Sequence, residues 1–146
     1  MTSTFLRSTV AAVTCTVAIA LAGPAFAAMV NLKTELSGKV EVPANDSKGT
    51  GSVTATFDTD SKKLTWKGSY SGLSGPATAA HFHTGEVGKN GGVTVPIFAG
   101  ATAKSPFEGS ATLTDAQAAD LLAGKLYANI HTEANKGGEI RGQLTK

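Results

Sequence analysis

Sulfur is nearly missing from this chain, and what there is sits at its start. The one cysteine is Cys15, and the two methionines are Met1 and Met29. A single cysteine cannot close a disulfide within the chain. Beyond position 15 there is no thiolate metal ligand, no redox pair and no cysteine nucleophile. Charge of one sign is also lacking. Thirteen Lys and Arg face eleven Asp and Glu, and bases such as Lys33, Lys39, Lys48, Lys89 and Lys104 stand singly. No basic stripe matches a phosphate backbone, and the lone Trp66 offers no base-stacking platform, so nucleic acid is excluded as a partner.

Long apolar runs are confined to one place. Ser8 to Ala22 is apolar or small throughout, follows the single charge of Arg7, and leads into Gly23-Pro24-Ala25-Phe26-Ala27. This is the pattern of an export signal, with cleavage expected after Ala27. The run is shorter than the roughly 20 residues a membrane span requires. Residues 1–27 therefore read as a signal peptide and residues 28–146 as one domain, periplasmic or secreted, with no membrane span in the mature chain. About 120 residues suffice for a single hydrophobic core.

That remainder alternates apolar and polar residues between turn-forming clusters. Gly49 to Asp58 sets Val53, Ala55 and Phe57 on one face and Ser52, Thr54 and Thr56 on the other. Asp58 to Lys62 is turn-rich, and Leu64 to Tyr70 resumes the alternation, which reads as a hairpin. Val30–Leu36, Thr78–Thr84, Val93–Ala99, Phe107–Leu113, Lys125–His131 and Glu139–Leu144 follow the same rule. Pro96 marks its strand as an edge or a bulge. Thr114 and Gln117 form a capping-box pair ahead of Asp115 to Ala123, and Gly124 stops that helix. The fold class is all-β: an antiparallel Greek-key sandwich or barrel of about eight strands with one short connecting helix.

The chemistry-bearing residues are few. All three histidines lie in strand-like segments, Ala80-His81-Phe82-His83 and Asn129-Ile130-His131. Alternate positions on a strand share a face, about 6–7 Å apart at Cα, so His81 and His83 can reach one ion. His131 would complete a tris-histidine set if its strand lies alongside. On the later strands Tyr127, Asn129 and His131 share a face opposite Leu126, Ala128 and Ile130. Glu139, Arg141 and Gln143 share one opposite Ile140, Gly142 and Leu144.

Glu41-Val42-Pro43, Ala79 to Gly85 with Asn90-Gly91-Gly92, Leu126 to Thr132, and Gly138 to Leu144 together resemble the CHRD family. That family is named for repeats of the animal protein chordin and includes many exported bacterial proteins. The resemblance covers nearly all of residues 28–146. It implies an extracytoplasmic β-rich domain without fixing an activity, and the chordin precedent is a protein-binding one. A weaker similarity joins His81, His83, His131 and Arg141 to the copper site of copper-zinc superoxide dismutases. The bridging histidine, a zinc site and the cysteine pair of those enzymes have no counterpart here, so the similarity extends only to a three-ligand copper site.

Two readings follow. In the first, His81, His83 and His131 bind one copper-like ion, with zinc as the alternative metal, for metal handling or for superoxide removal. Glu139 would then orient a ligand histidine, and Arg141 would draw a small anion such as superoxide. In the second, the domain is a non-catalytic protein-binding or structural module without metal. There the histidines hold turn backbones, His131 pins the loop from Thr132 to Gly138, and Glu139 pairs with Arg141. Glu86 and Glu133 are loop acids expected to meet water. Whether the chain is an enzyme is left open by these residues.

Overall fold

A computed structural model describes residues 28–100 and 104–146. The expected signal peptide, residues 1–27, lies outside the described residues. Eight strands form a single antiparallel sheet: β1 (Met29–Ser37), β2 (Thr50–Asp58), β3 (Lys63–Ser71), β4 (Ala77–Thr84), β5 (Val93–Ala99), β6 (Phe107–Thr112), β7 (Leu126–Thr132) and β8 (Ile140–Gln143). Their order is β5-β4-β7-β8-β1-β2-β3-β6. The sheet curls until its outer strands β5 and β6 touch, which gives a nearly closed barrel. Phe98 and Phe107 meet edge to face across that seam at 5.3 Å, and Tyr70 lies against both.

The alternation places the core as expected. Val53, Ala55 and Phe57 of β2, Leu64 and Trp66 of β3, and Leu32 and Leu36 of β1 are buried inside the barrel. The helix α1 (Asp115–Leu122) lies between β6 and β7 and buries Ala118 and Leu121. Thr114 Oγ1 accepts from the Gln117 amide at 3.3 Å, while Gln117 Oε1 accepts from the Thr114 amide at 2.9 Å. Gly124, at φ +73°, turns the chain out of the helix. Thr114→Ala removes one of these reciprocal bonds. A loss of about 1 kcal/mol in urea-denaturation stability is expected, with the native sheet retained.

Pro96 acts as both devices expected of it. Its strand stands at one end of the sheet order, and β5 pairs with β4 through irregularities between Ala80 and His81 and between Phe82 and His83. Such bulges re-aim side chains locally, and these two flank the histidines.

The most enclosed strand is β7, buried at all seven positions. Leu126, Ala128 and Ile130 enter the core. Its opposite face, carrying Tyr127, Asn129 and His131, lies beneath loops 38–49, 85–92 and 133–139, which are bonded to one another and to β8. Asn45 donates to the Glu139 carbonyl at 3.1 Å, and Asn90 donates to the Val42 carbonyl at 2.8 Å. The barrel thus carries a roofed polar layer on the outside of β4, β7 and β8.

Candidate metal centre

The strand register assembles the three histidines. β4 runs beside β7 with Ala79 opposite His131, His81 opposite Asn129 and His83 opposite Tyr127. Because Ala80 and Phe82 are drawn into the core, His81 and His83 stand on the roofed face with His131. The rings of His81 and His131 are 5.1 Å apart, those of His81 and His83 5.5 Å, and those of His83 and His131 5.9 Å. One ligand nitrogen from each lies within 4.8 Å of the other two. No other residue joins this group among the described residues. Glu86 is exposed, and Glu133 is engaged with Lys136 at 2.7 Å.

Backbone carbonyls fix the ring tautomers. His83 Nδ1 lies 3.1 Å from the Gly91 carbonyl, and His131 Nδ1 lies 3.0 Å from the Lys136 carbonyl. A carbonyl only accepts, so both Nδ1 atoms carry hydrogen, and each neutral ring has its lone pair on Nε2. His131 therefore does pin the 132–138 loop while presenting Nε2 to the cluster. His81 Nδ1 is 3.2 Å from His131 Nε2 and, by the same logic, donates to it. His83 Nε2 is buried and has no hydrogen-bond partner. Burial holds all three rings below the ordinary imidazole value. The carbonyl bonds of His83 and His131 oppose that shift, and neighbouring charge adds to it. Neutral imidazole is the form that ligates a metal.

Glu139 and Arg141 are put to other uses than those expected. The Glu139 carboxylate is fully buried and accepts five hydrogen bonds, from Ser47 Oγ, Ser74 N, Ser74 Oγ, Thr132 Oγ1 and Asn135 Nδ2. Burial alone would raise its pKa. The hydroxyls of Ser74, Thr132 and Ser47 outweigh it and hold the carboxyl at about 2. Glu139 thus knots three loops together. His83 and His131 are oriented by carbonyls instead, and His81 by His131. Arg141 is 2% exposed and directs its two Nη groups onto Asn90 Oδ1 at 3.0 Å and the Lys89 carbonyl at 2.6 Å. It neither pairs with Glu139 nor stands in solvent as an anion guide would. Its guanidinium carbon lies 3.4 Å above the Tyr127 ring, and that ring stacks on His83 at 5.0 Å.

Nothing in the neighbours of Glu41 along the chain marks it as buried. It lies 7% exposed against the same polar layer. Burial raises its pKa to about 7 against the opposing pull of Arg141. Both Glu41 Oε1 and the partnerless Asn129 Oδ1 crowd Gly138. A carboxyl raised on folding from 4.5 to about 7 loses stability as pH climbs through that window. Glu41→Gln is therefore expected to be more stable than the parent by about 2–3 kcal/mol at pH 8. The advantage should vanish below about pH 4.5, as read by urea denaturation at the two pH values.

The CHRD domain family model matches residues 32–144, and the chain belongs to the CHRD family. No curated protein and no solved structure matches it. CHRD domains occur in extracellular and periplasmic proteins. No helix among the described residues is long and apolar enough to cross a membrane.

Proposed function

We propose that this CHRD domain is an exported metal-binding module that holds one copper-like ion through His81, His83 and His131. The observation that carries this reading is His83 Nε2, a buried lone pair without a partner in a cluster whose ligand nitrogens converge within 4.8 Å. An unmet buried acceptor costs about 1–3 kcal/mol, which a bound cation would recover. A set of neutral imidazoles suits copper, with zinc the alternative. Three protein ligands leave a position open. Metal handling uses that position for transfer. Superoxide removal is the narrower form: copper held by these three histidines would supply the change of oxidation state, and the more exposed His81 would leave a side open to a small anion.

The test is titration of the metal-free protein with Cu²⁺ and with Zn²⁺. One ion per chain and a higher melting temperature are expected, both lost in His81→Ala plus His83→Ala. Identical melting with and without metal would overturn the reading. A superoxide-consumption assay on the copper-loaded protein then separates carrier from enzyme.

A second reading has its own support. The His81–His131 bond and the two carbonyl bonds hold the layer together without any ion. On that view the domain is a structural or protein-binding module, and the buried, partnerless His83 Nε2 is left unexplained.

A further inference from the structure

The roof over His83 is held by a continuous set of contacts that begins at Arg141. Its Nη2 donates to the Lys89 carbonyl and its Nη1 to Asn90 Oδ1, which fixes the two residues before Gly91. Asn90 is held from its other side by the Val42 carbonyl. The Gly91 amide donates to the Tyr127 hydroxyl at 3.1 Å, and the Gly91 carbonyl receives His83 Nδ1–H at 3.1 Å. Tyr127 also stacks on the His83 ring, with the two planes within 8° of parallel. Position 91 accepts only glycine, because a Cβ there would fall 1.5 Å from the Thr84 carbonyl oxygen.

We propose that Tyr127 and Arg141 are positioning residues of the histidine cluster, fixing His83 as the Nδ1–H tautomer so that its Nε2 lone pair faces the metal position. A histidine side chain free in water favours the proton on Nε2, and the hydrogen bond made by the other nitrogen decides the outcome in a protein. Without the strap, Gly91 no longer holds its carbonyl against Nδ1. The proton then moves to Nε2, and a ligand becomes a donor. The consequence for affinity rests on the metal-binding reading; the tautomer itself is a property of the metal-free protein.

The experiment is nitrogen-15 NMR of the imidazoles in metal-free protein, beside Zn²⁺ affinity, for the parent, Tyr127→Phe and Arg141→Lys. The parent should show His83 with hydrogen on Nδ1 and a bare Nε2. In both variants His83 should shift toward Nε2–H, and Zn²⁺ affinity should fall about 10–100-fold. His131 is oriented by the Lys136 carbonyl, outside the strap, and should keep its tautomer. General loosening of the layer would move both rings and would overturn the proposal. So would an unchanged His83 in Tyr127→Phe, which keeps the ring and decides alone if Arg141→Lys does not fold. A parent with the expected tautomer that binds no Zn²⁺ or Cu²⁺ would remove the metal reading and leave this proposal standing.

Discussion

Replacing His83 by alanine is expected to lower metal affinity about 100- to 1,000-fold while leaving the barrel folded. Structural zinc sites with four ligands bind with about 10–16 kcal/mol, or roughly 2.5–4 kcal/mol per ligand. At about 1.4 kcal/mol per decade, losing one imidazole costs two to three decades. The metal-free protein should suffer less. Alanine forfeits the Gly91 bond and the Tyr127 stack but also removes the buried, partnerless Nε2. The contrast is read by melting with and without metal. At a hundredfold excess over Kd the parent gains about 2.7 kcal/mol, a rise of roughly 10 °C for a domain this size. The variant should gain almost nothing at the same concentration. An equal rise in both would place the metal elsewhere.

Glu139→Ala is expected to destabilise the fold by roughly 3–5 kcal/mol, the largest loss anticipated for any single change in the polar layer. Its five donors come from three loops and the end of β7, and removing the acceptor strands them together. The pH dependence follows from the sign of the shift. A carboxyl lowered on folding from 4.5 to about 2 contributes stability that is complete above pH 4.5. That contribution, about 3 kcal/mol, is lost as pH falls toward 2. The variant should therefore lack this part of the parent's acid sensitivity when unfolding is followed from pH 6 to pH 2. The knot also holds loop 133–139, whose Lys136 carbonyl orients His131, so metal affinity should fall with it. A variant as stable as the parent at pH 7 would show that the five bonds are not the anchor of these loops.

The contrast between legible and hidden features has a physical basis. Val53, Ala55 and Phe57 announce a half-buried strand because a strand's period of two is written in adjacent residues. Thr114, Gln117 and Gly124 announce the helix because caps are local bonds. The same period put Tyr127, Asn129 and His131 on one face, as the structure has them. Pro96 declared an edge through its missing amide hydrogen. Glu139 hid its role because Ser47 and Ser74 lie 92 and 65 residues away, and no spacing rule links a carboxylate to hydroxyls on distant loops. Arg141 on the polar face of β8 reads from sequence as an anion guide or a partner of Glu139, since nothing local to it reveals that Lys89 and Asn90 fold back over it. Tyr127 could be placed on its face but not paired, because ring stacking depends on the register between β4 and β7. The periodic part of the fold was therefore readable, whereas the roof that finishes the site depends on long-range contacts.

X-ray absorption at the metal edge of protein loaded with one equivalent of copper or zinc bears most directly on the tris-histidine centre. The expected spectrum has three imidazole nitrogens at about 2.0 Å, and all three disappear when His81, His83 and His131 are replaced together by alanine. A shell of oxygens alone, or an imidazole signal that survives the triple replacement, would contradict it.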